Sequence, residues 1–152
     1  MPAAPMPDAL AWTEESNAIY QLVQQIQEAW NRAANTELAA LFREDVDYTA
    51  WNGIYFHGRT AVLQNHRRIF GARFLDGKLQ IAVRNIRFLS QSVAAVHVAV
   101  RLSGQDEAAA SKASVEPGSP VEGAALFIVT KRGNQWRCEV FHNTLVIQGR
   151  AH

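Results

Sequence analysis

At 152 residues the chain fits one domain, and 48% of it is apolar, enough to bury a core of ordinary size. Its 15 basic and 14 acidic residues nearly cancel and no run of five or six like charges occurs, which argues against nucleic acid or an anionic membrane as partner. A single cysteine, Cys138, excludes an intramolecular disulfide and a multi-cysteine metal site, and it reads as a small core residue in a strand.

The opening MPAAPMPDALAW has neither a basic start nor a long apolar stretch, so residues 1–13 read as a flexible segment, not a signal peptide or anchor. A cytoplasmic location is the default expectation. Thr13, followed by Glu14 and Glu15, supplies a helix cap with acids in the first turn. Ile19, Leu22, Val23, Ile26, Ala29, Trp30 and Ala33 then repeat at helical spacing. A second, shorter helix is predicted from a Thr36 cap through Phe42, with Leu38, Leu41 and Phe42 on one side. Tyr48 and Ala50 share one direction on a first strand and Trp51 the other unless the strand bulges, and Asn52-Gly53 reads as a turn. Gly58 opens a third helix whose broad face holds Val62, Leu63, His66, Ile69 and Phe70.

After Asp76-Gly77 the period changes to two, with strands near 78–89, 93–102, 123–132 and 135–147. Val96, Val98, Val100 and Leu102 alternate with Ala95, His97, Ala99 and Arg101, so one sheet face is the more apolar. Residues 103–122 are small and polar and read as a mobile hairpin loop, Gly133-Asn134 as a tight turn, and 148–152 as a tail. Helices followed by a run of strands predict an α+β domain over 14–147, a curved antiparallel sheet wrapped around N-terminal helices. An outer face carrying His97, Phe127 and His142 among small residues predicts a homodimer.

The order of elements, with Leu41-Phe42 and Glu44-Asp45 before the first strand, Gly58-Arg59 opening the third helix and Phe141-His142-Asn143-Thr144 in the last strand, resembles the nuclear transport factor 2-like superfamily. That superfamily includes SnoaL-like and ketosteroid-isomerase-like proteins, and the closing His-Asn-Thr is similar to an uncharacterised, "oxidoreductase-like" branch. The resemblance implies a cone, or cystatin-like α+β barrel, around a deep apolar pocket used by isomerases, dehydratases, epoxide hydrolases and binding proteins. Fold therefore underdetermines function. Laid on this chain, the ketosteroid isomerase pattern puts Ile26 at its helical tyrosine, Ala50 at its general base and Leu126 at its second acid. Hydrocarbon cannot serve at those points, which argues against that activity. The three positions become candidate pocket wall instead.

His66 is the foremost candidate for chemistry, since its helix face turns toward the cone and its ordinary pKa suits proton transfer; the competing reading is a core histidine. Alternation along the last strand groups Asn143 with Glu139 and Phe141 on the pocket side, with Asn143 as the second catalytic candidate, a donor to a carbonyl or developing oxyanion, and Phe141 as wall. Glu139 is then either an acid of raised pKa or a salt-bridge partner at the rim. Tyr48 is a pocket or core aromatic whose hydroxyl could meet His66, and Trp51 is a further ligand-contact candidate. His57 reads as an exposed residue of the cap region. No HExxH, paired-cysteine or two-His-one-carboxylate spacing suggests a metal, and no glycine-rich dinucleotide loop or flavin signature suggests a cofactor. The expectation is a small-molecule-binding protein, acting on a small organic metabolite by acid/base chemistry if it is an enzyme. The alternative is a non-catalytic interaction or dimerisation module.

Overall fold

The structure, a computed structural model, describes residues 12–72, 78–103 and 120–147. Nearly all of the segments expected to be flexible at both ends and between 103 and 122 lies outside the described residues, as do the side chains of Ile69 and Phe70. A π-helical turn, Trp12–Ser16, leads into α1, Asn17–Asn31. Ile19, Leu22, Val23, Ile26 and Ala29 form its buried stripe, as the helical spacing requires. The helix ends in two closing bonds, Ala34 N to Ala29 O at 2.8 Å and Ala33 N to Trp30 O at 3.0 Å, with Ala33 at φ 53°. This is the glycine-type helix stop built around an alanine. Next, α2 spans Asn35–Ala40, starting ahead of the expected Thr36 cap and lacking a side-chain cap bond. Phe42 is therefore not its last turn but the first residue of β1, Phe42–Thr49.

A short strand that periodicity does not predict, β2 (Tyr55–His57), folds back on β1 through the turn at Asn52-Gly53. Gly53 holds φ 85° and the Asn52 Oδ1 accepts from Ile54 N at 3.2 Å, so the turn chemistry is as read. His57 is exposed, but on this strand, where its Nδ1 lies 2.9 Å from the Asp47 carboxylate. Then come α3 (Arg59–Ala72), β3 (Lys78–Ser90), β4 (Val93–Ser103), β5 (Val121–Arg132) and β6 (Gln135–Leu145). The sheet is six-stranded, curved and open, in the order β2-β1-β6-β5-β4-β3. All its pairs are antiparallel except β1 with β6, which run parallel. Register shifts at Val83/Asn85 and Phe88/Ser90 in β3, and opposite Ile128/Val129 in β6, bend it around the helices.

The concave face carries the core: Val96, Val98, Ala125, Phe127, Val129, Trp136 and Cys138 meet the α1 stripe and Val62 of α3. Phe127 is fully buried there, correcting its expected place on the outer face. Leu126 takes that place, paired with His97 and His142 on the convex side. It is therefore not cavity wall. Parity across β5 is strict, with Val121, Gly123, Ala125, Phe127 and Val129 all buried, so a one-residue slip in reading exchanges the faces.

Two ties fix the helices to the sheet. Glu15 accepts from Lys131 Nζ at 2.8 Å and from Trp136 Nε1 at 2.9 Å, which holds its carboxyl below its ordinary pKa. The edge strand β3 is met by α1 side chains: Asn31 both accepts from Leu79 N (2.7 Å) and donates to Leu79 O (3.0 Å), and Gln27 accepts from Ile81 N (2.8 Å).

Candidate functional site

The concave face and helices α1 and α3 enclose a cavity of about 240 Å³. Its walls are largely aromatic and aliphatic, including Ile26, Phe42, Tyr48, Phe56, Phe127 and Phe141, and its polar lining includes His66, Asn65, Asn143 and Asn52. Ala50 and Trp51 both line it, because the chain leaves β1 at Thr49 and turns there, so alternation no longer separates them.

Placement of His66 begins with Gly58, whose φ of 89° turns the chain sharply between β2 and α3. Gly58 N bonds to Val46 O at 2.7 Å, and the Arg59 guanidinium donates to Phe42 O from Nε (3.1 Å) and Nη2 (2.6 Å). These three bonds clamp the start of α3 onto β1, and the helical period then brings Val62, Asn65 and His66 inward, all three buried. His66 is only 3% exposed. Its Nδ1 lies 2.9 Å from Val62 O. A carbonyl only accepts, so Nδ1 carries the proton and Nε2 is the acceptor of the neutral ring. Burial lowers the His66 pKa, opposed in smaller part by the Val62 bond, which keeps the ring neutral at pH 7.

Tyr48 stands between His66 and the last strand. Its ring stacks on Phe141 with centroids 4.6 Å apart and meets His66 edge to face at 5.7 Å. Burial raises its phenol pKa, so it stays protonated. Phe141 in turn lies 5.0 Å from Phe127. Asn143 follows two residues after Phe141 and reaches the cavity, with its Oδ1 buried and unpartnered.

Glu139 does not join them. Val129 faces Cys138 and Ile128 faces Val140, which leaves Glu139 as the extra residue of a bulge. Its Oε2 accepts from Thr130 Oγ1 at 2.9 Å and lies 3.7 Å from Arg43 Nε and 3.8 Å from Arg132 Nη2. The salt-bridge reading is the one that holds. Strict alternation counted back from Asn143 could not detect the bulge. Asn65 and Gly123 were also missed. Asn65 lies three residues after Val62 on the same helix face, and Gly123 is a glycine inside a strand, a sign of close approach. No group of three or more metal-ligating side chains occurs among the described residues.

No protein-family model matches the sequence, and no curated protein does. Solved structures do. A cystatin-like domain of unknown function from Nostoc punctiforme is 26% identical, with a TM-score of 0.74 over 90% of this chain and 80% of that one. A putative scytalone dehydratase from Novosphingobium aromaticivorans is 22% identical, with a TM-score of 0.74 over 91% and 95%. A nuclear transport factor 2-like protein of unknown function from Shewanella oneidensis is 20% identical, with a TM-score of 0.69 over 86% and 98%. The chain thus has the cystatin-like α+β fold, and its structural neighbours are those of the nuclear transport factor 2-like superfamily.

Proposed function

We propose that the cavity binds a small, mostly apolar organic molecule and that His66 is its principal polar contact. The observation that carries this reading is a buried histidine on the wall of a largely apolar cavity, its Nδ1 held 2.9 Å from Val62 O. A few placed polar groups inside an apolar enclosure are what orient a ligand. An Nε2 acceptor kept neutral suits proton abstraction, so any catalysis is acid/base chemistry of the isomerase, dehydratase or hydrolase kind, with His66 as base. Ile26 and Ala50 as wall leave neither the helical tyrosine nor the general base of the isomerase pattern at those points. Screening small aromatic and alicyclic compounds by thermal shift, followed by crystallography of hits, tests the reading. Ligands should stabilise the fold, and His66→Ala should weaken them by about 1–3 kcal/mol for a lost buried hydrogen bond. Stabilisation unaffected by the substitution, or no stabilisation by any compound, would overturn it. Turnover that His66→Ala abolishes while binding persists would mark an enzyme.

A second reading concerns the convex face, where Leu126, Ile128 and Val140 are only half-buried around Ala95. We infer that two copies associate through this face. Sedimentation showing only monomer at micromolar concentration would remove the idea. Among the described residues no helix is long and apolar enough to cross a membrane, and a cytoplasmic location is part of this proposal.

A further inference from the structure

Asn143 lines the cavity, yet its Oδ1 is sealed from solvent without a hydrogen-bond partner. Gly123 on the adjacent strand lies against it. Asn143 pairs with Ala125 and Gly123 with Leu145, so the two are diagonal neighbours on the concave face. A Cβ built on Gly123 would lie 2.3 Å from Asn143 Oδ1 and 3.1 Å from both its Cγ and Nδ2. The backbone at Gly123 is not in the positive-φ region, so space, not backbone freedom, is what the glycine supplies there. Chemistry also fixes which end of the amide faces it. The Cα hydrogens of a glycine are weak donors, attractive to an amide oxygen and repulsive to an NH₂ group. With the oxygen against Gly123, the end of the amide left to reach the cavity is Nδ2.

We propose that Gly123 is a positioning residue that turns Asn143 Nδ2 into the cavity as a donor, so that the ligand presents an acceptor oxygen there. A ketone, aldehyde or ester attached to an apolar ring fits this requirement. The ring would lie among Tyr48, Phe127 and Phe141. This assignment rests on the cavity reading above and adds the chemical class of the ligand to it.

The test uses two probes of the same shape, acetophenone and α-methylstyrene, in which the carbonyl oxygen is replaced by a methylene group. Binding is measured by calorimetry to the wild-type chain, to Asn143→Ala and to Gly123→Ala, with circular dichroism confirming the fold of each. The ratio of the two dissociation constants should shift against acetophenone by about fivefold in Asn143→Ala, the value of one net hydrogen bond. Gly123→Ala should shift it similarly, and should add nothing when Asn143→Ala is already present. Should Gly123→Ala fail to fold, the wild-type chain still decides. The Asn143 side-chain amide resonance, identified by its loss in Asn143→Ala, should move markedly further downfield with acetophenone than with α-methylstyrene, since both rings shift it and only the ketone accepts from it. Both probes binding with a ratio that Asn143→Ala leaves unchanged, or an amide resonance that moves no further downfield with the ketone, would overturn the donor assignment and leave the cavity reading standing. Neither probe binding would remove both.

Discussion

The two halves of β6 do opposite things with the same strand. Before the bulge, Trp136 and Cys138 are buried in close packing, and the Trp136 indole donates to a Glu15 carboxylate that also holds Lys131. Beyond the bulge, Phe141 and Asn143 face a cavity, and the Asn143 amide oxygen is bonded to nothing. One half has its polar groups satisfied inside hydrocarbon, which stabilises; the other keeps a buried amide oxygen unmatched against Gly123 and turns the rest of its inner face to a cavity. The bulge at Glu139 keeps both halves facing inward while the strand bends.

The sharpest way to break this comparison is Trp136→Ala. Removing a buried indole should destabilise the fold by about 3–5 kcal/mol in chemical denaturation, and a loss under 1 kcal/mol would show that the first half is not the stabilising one. On the cavity side, His66→Ala should cost about 1–2 kcal/mol without ligand, for the lost Val62 bond and packing. His66 also sets a pH trend. Its pKa is held below the ordinary 6.5 by burial, so as pH falls below 6.5 the unfolded chain binds the proton first. The His66 term therefore favours the fold most above 6.5 and weakens as pH falls toward the folded value, and denaturation of His66→Ala across that range should show a flatter slope.

Glu15→Gln probes the tie on the other half. It should cost about 0.5–1 kcal/mol near neutral pH, since the ion pair is partly exposed. With the Glu15 pKa lowered chiefly by Lys131, the contribution is present above 4.5 and lost as pH falls through the lower folded value, so the variant should be less acid-sensitive than wild type. A control away from β6 is Ala33→Gly, which should raise stability by about 0.4–1 kcal/mol by relieving the positive φ at the end of α1. Smallest of all, Asn143→Ala should leave stability within about 0.5 kcal/mol of wild type, because the amide oxygen it removes has no partner to lose.

The legible parts of this fold were those with a regular period. The stripe from Ile19 to Ala29, the strands from Lys78 to Ser103 and the turns at Asn52-Gly53 and Gly133-Asn134 all follow from spacing and turn chemistry. Within the site, His66 and Tyr48 were legible because a helix face and a strand face each pointed one way. Errors arose where regularity failed or was miscounted. Alternation turns Glu139 inward because a bulge leaves no mark in a single sequence, and it exchanges Leu126 and Phe127 because a one-residue slip in β5 reverses every side chain. β2 has only three residues and no alternation long enough to read. The role of Gly123 depends on a contact across strands, which no local pattern encodes.

Asn31 and Gln27, the α1 side chains that bond to Leu79 and Ile81, also decide how this molecule can meet another. They occupy main-chain groups on the outer strand that would otherwise template an incoming chain, and the opposite margin of the sheet ends in a strand of only three residues. Pairing of another chain onto the sheet is hindered at Leu79 and Ile81 on one margin and has only three residues to pair with on the other.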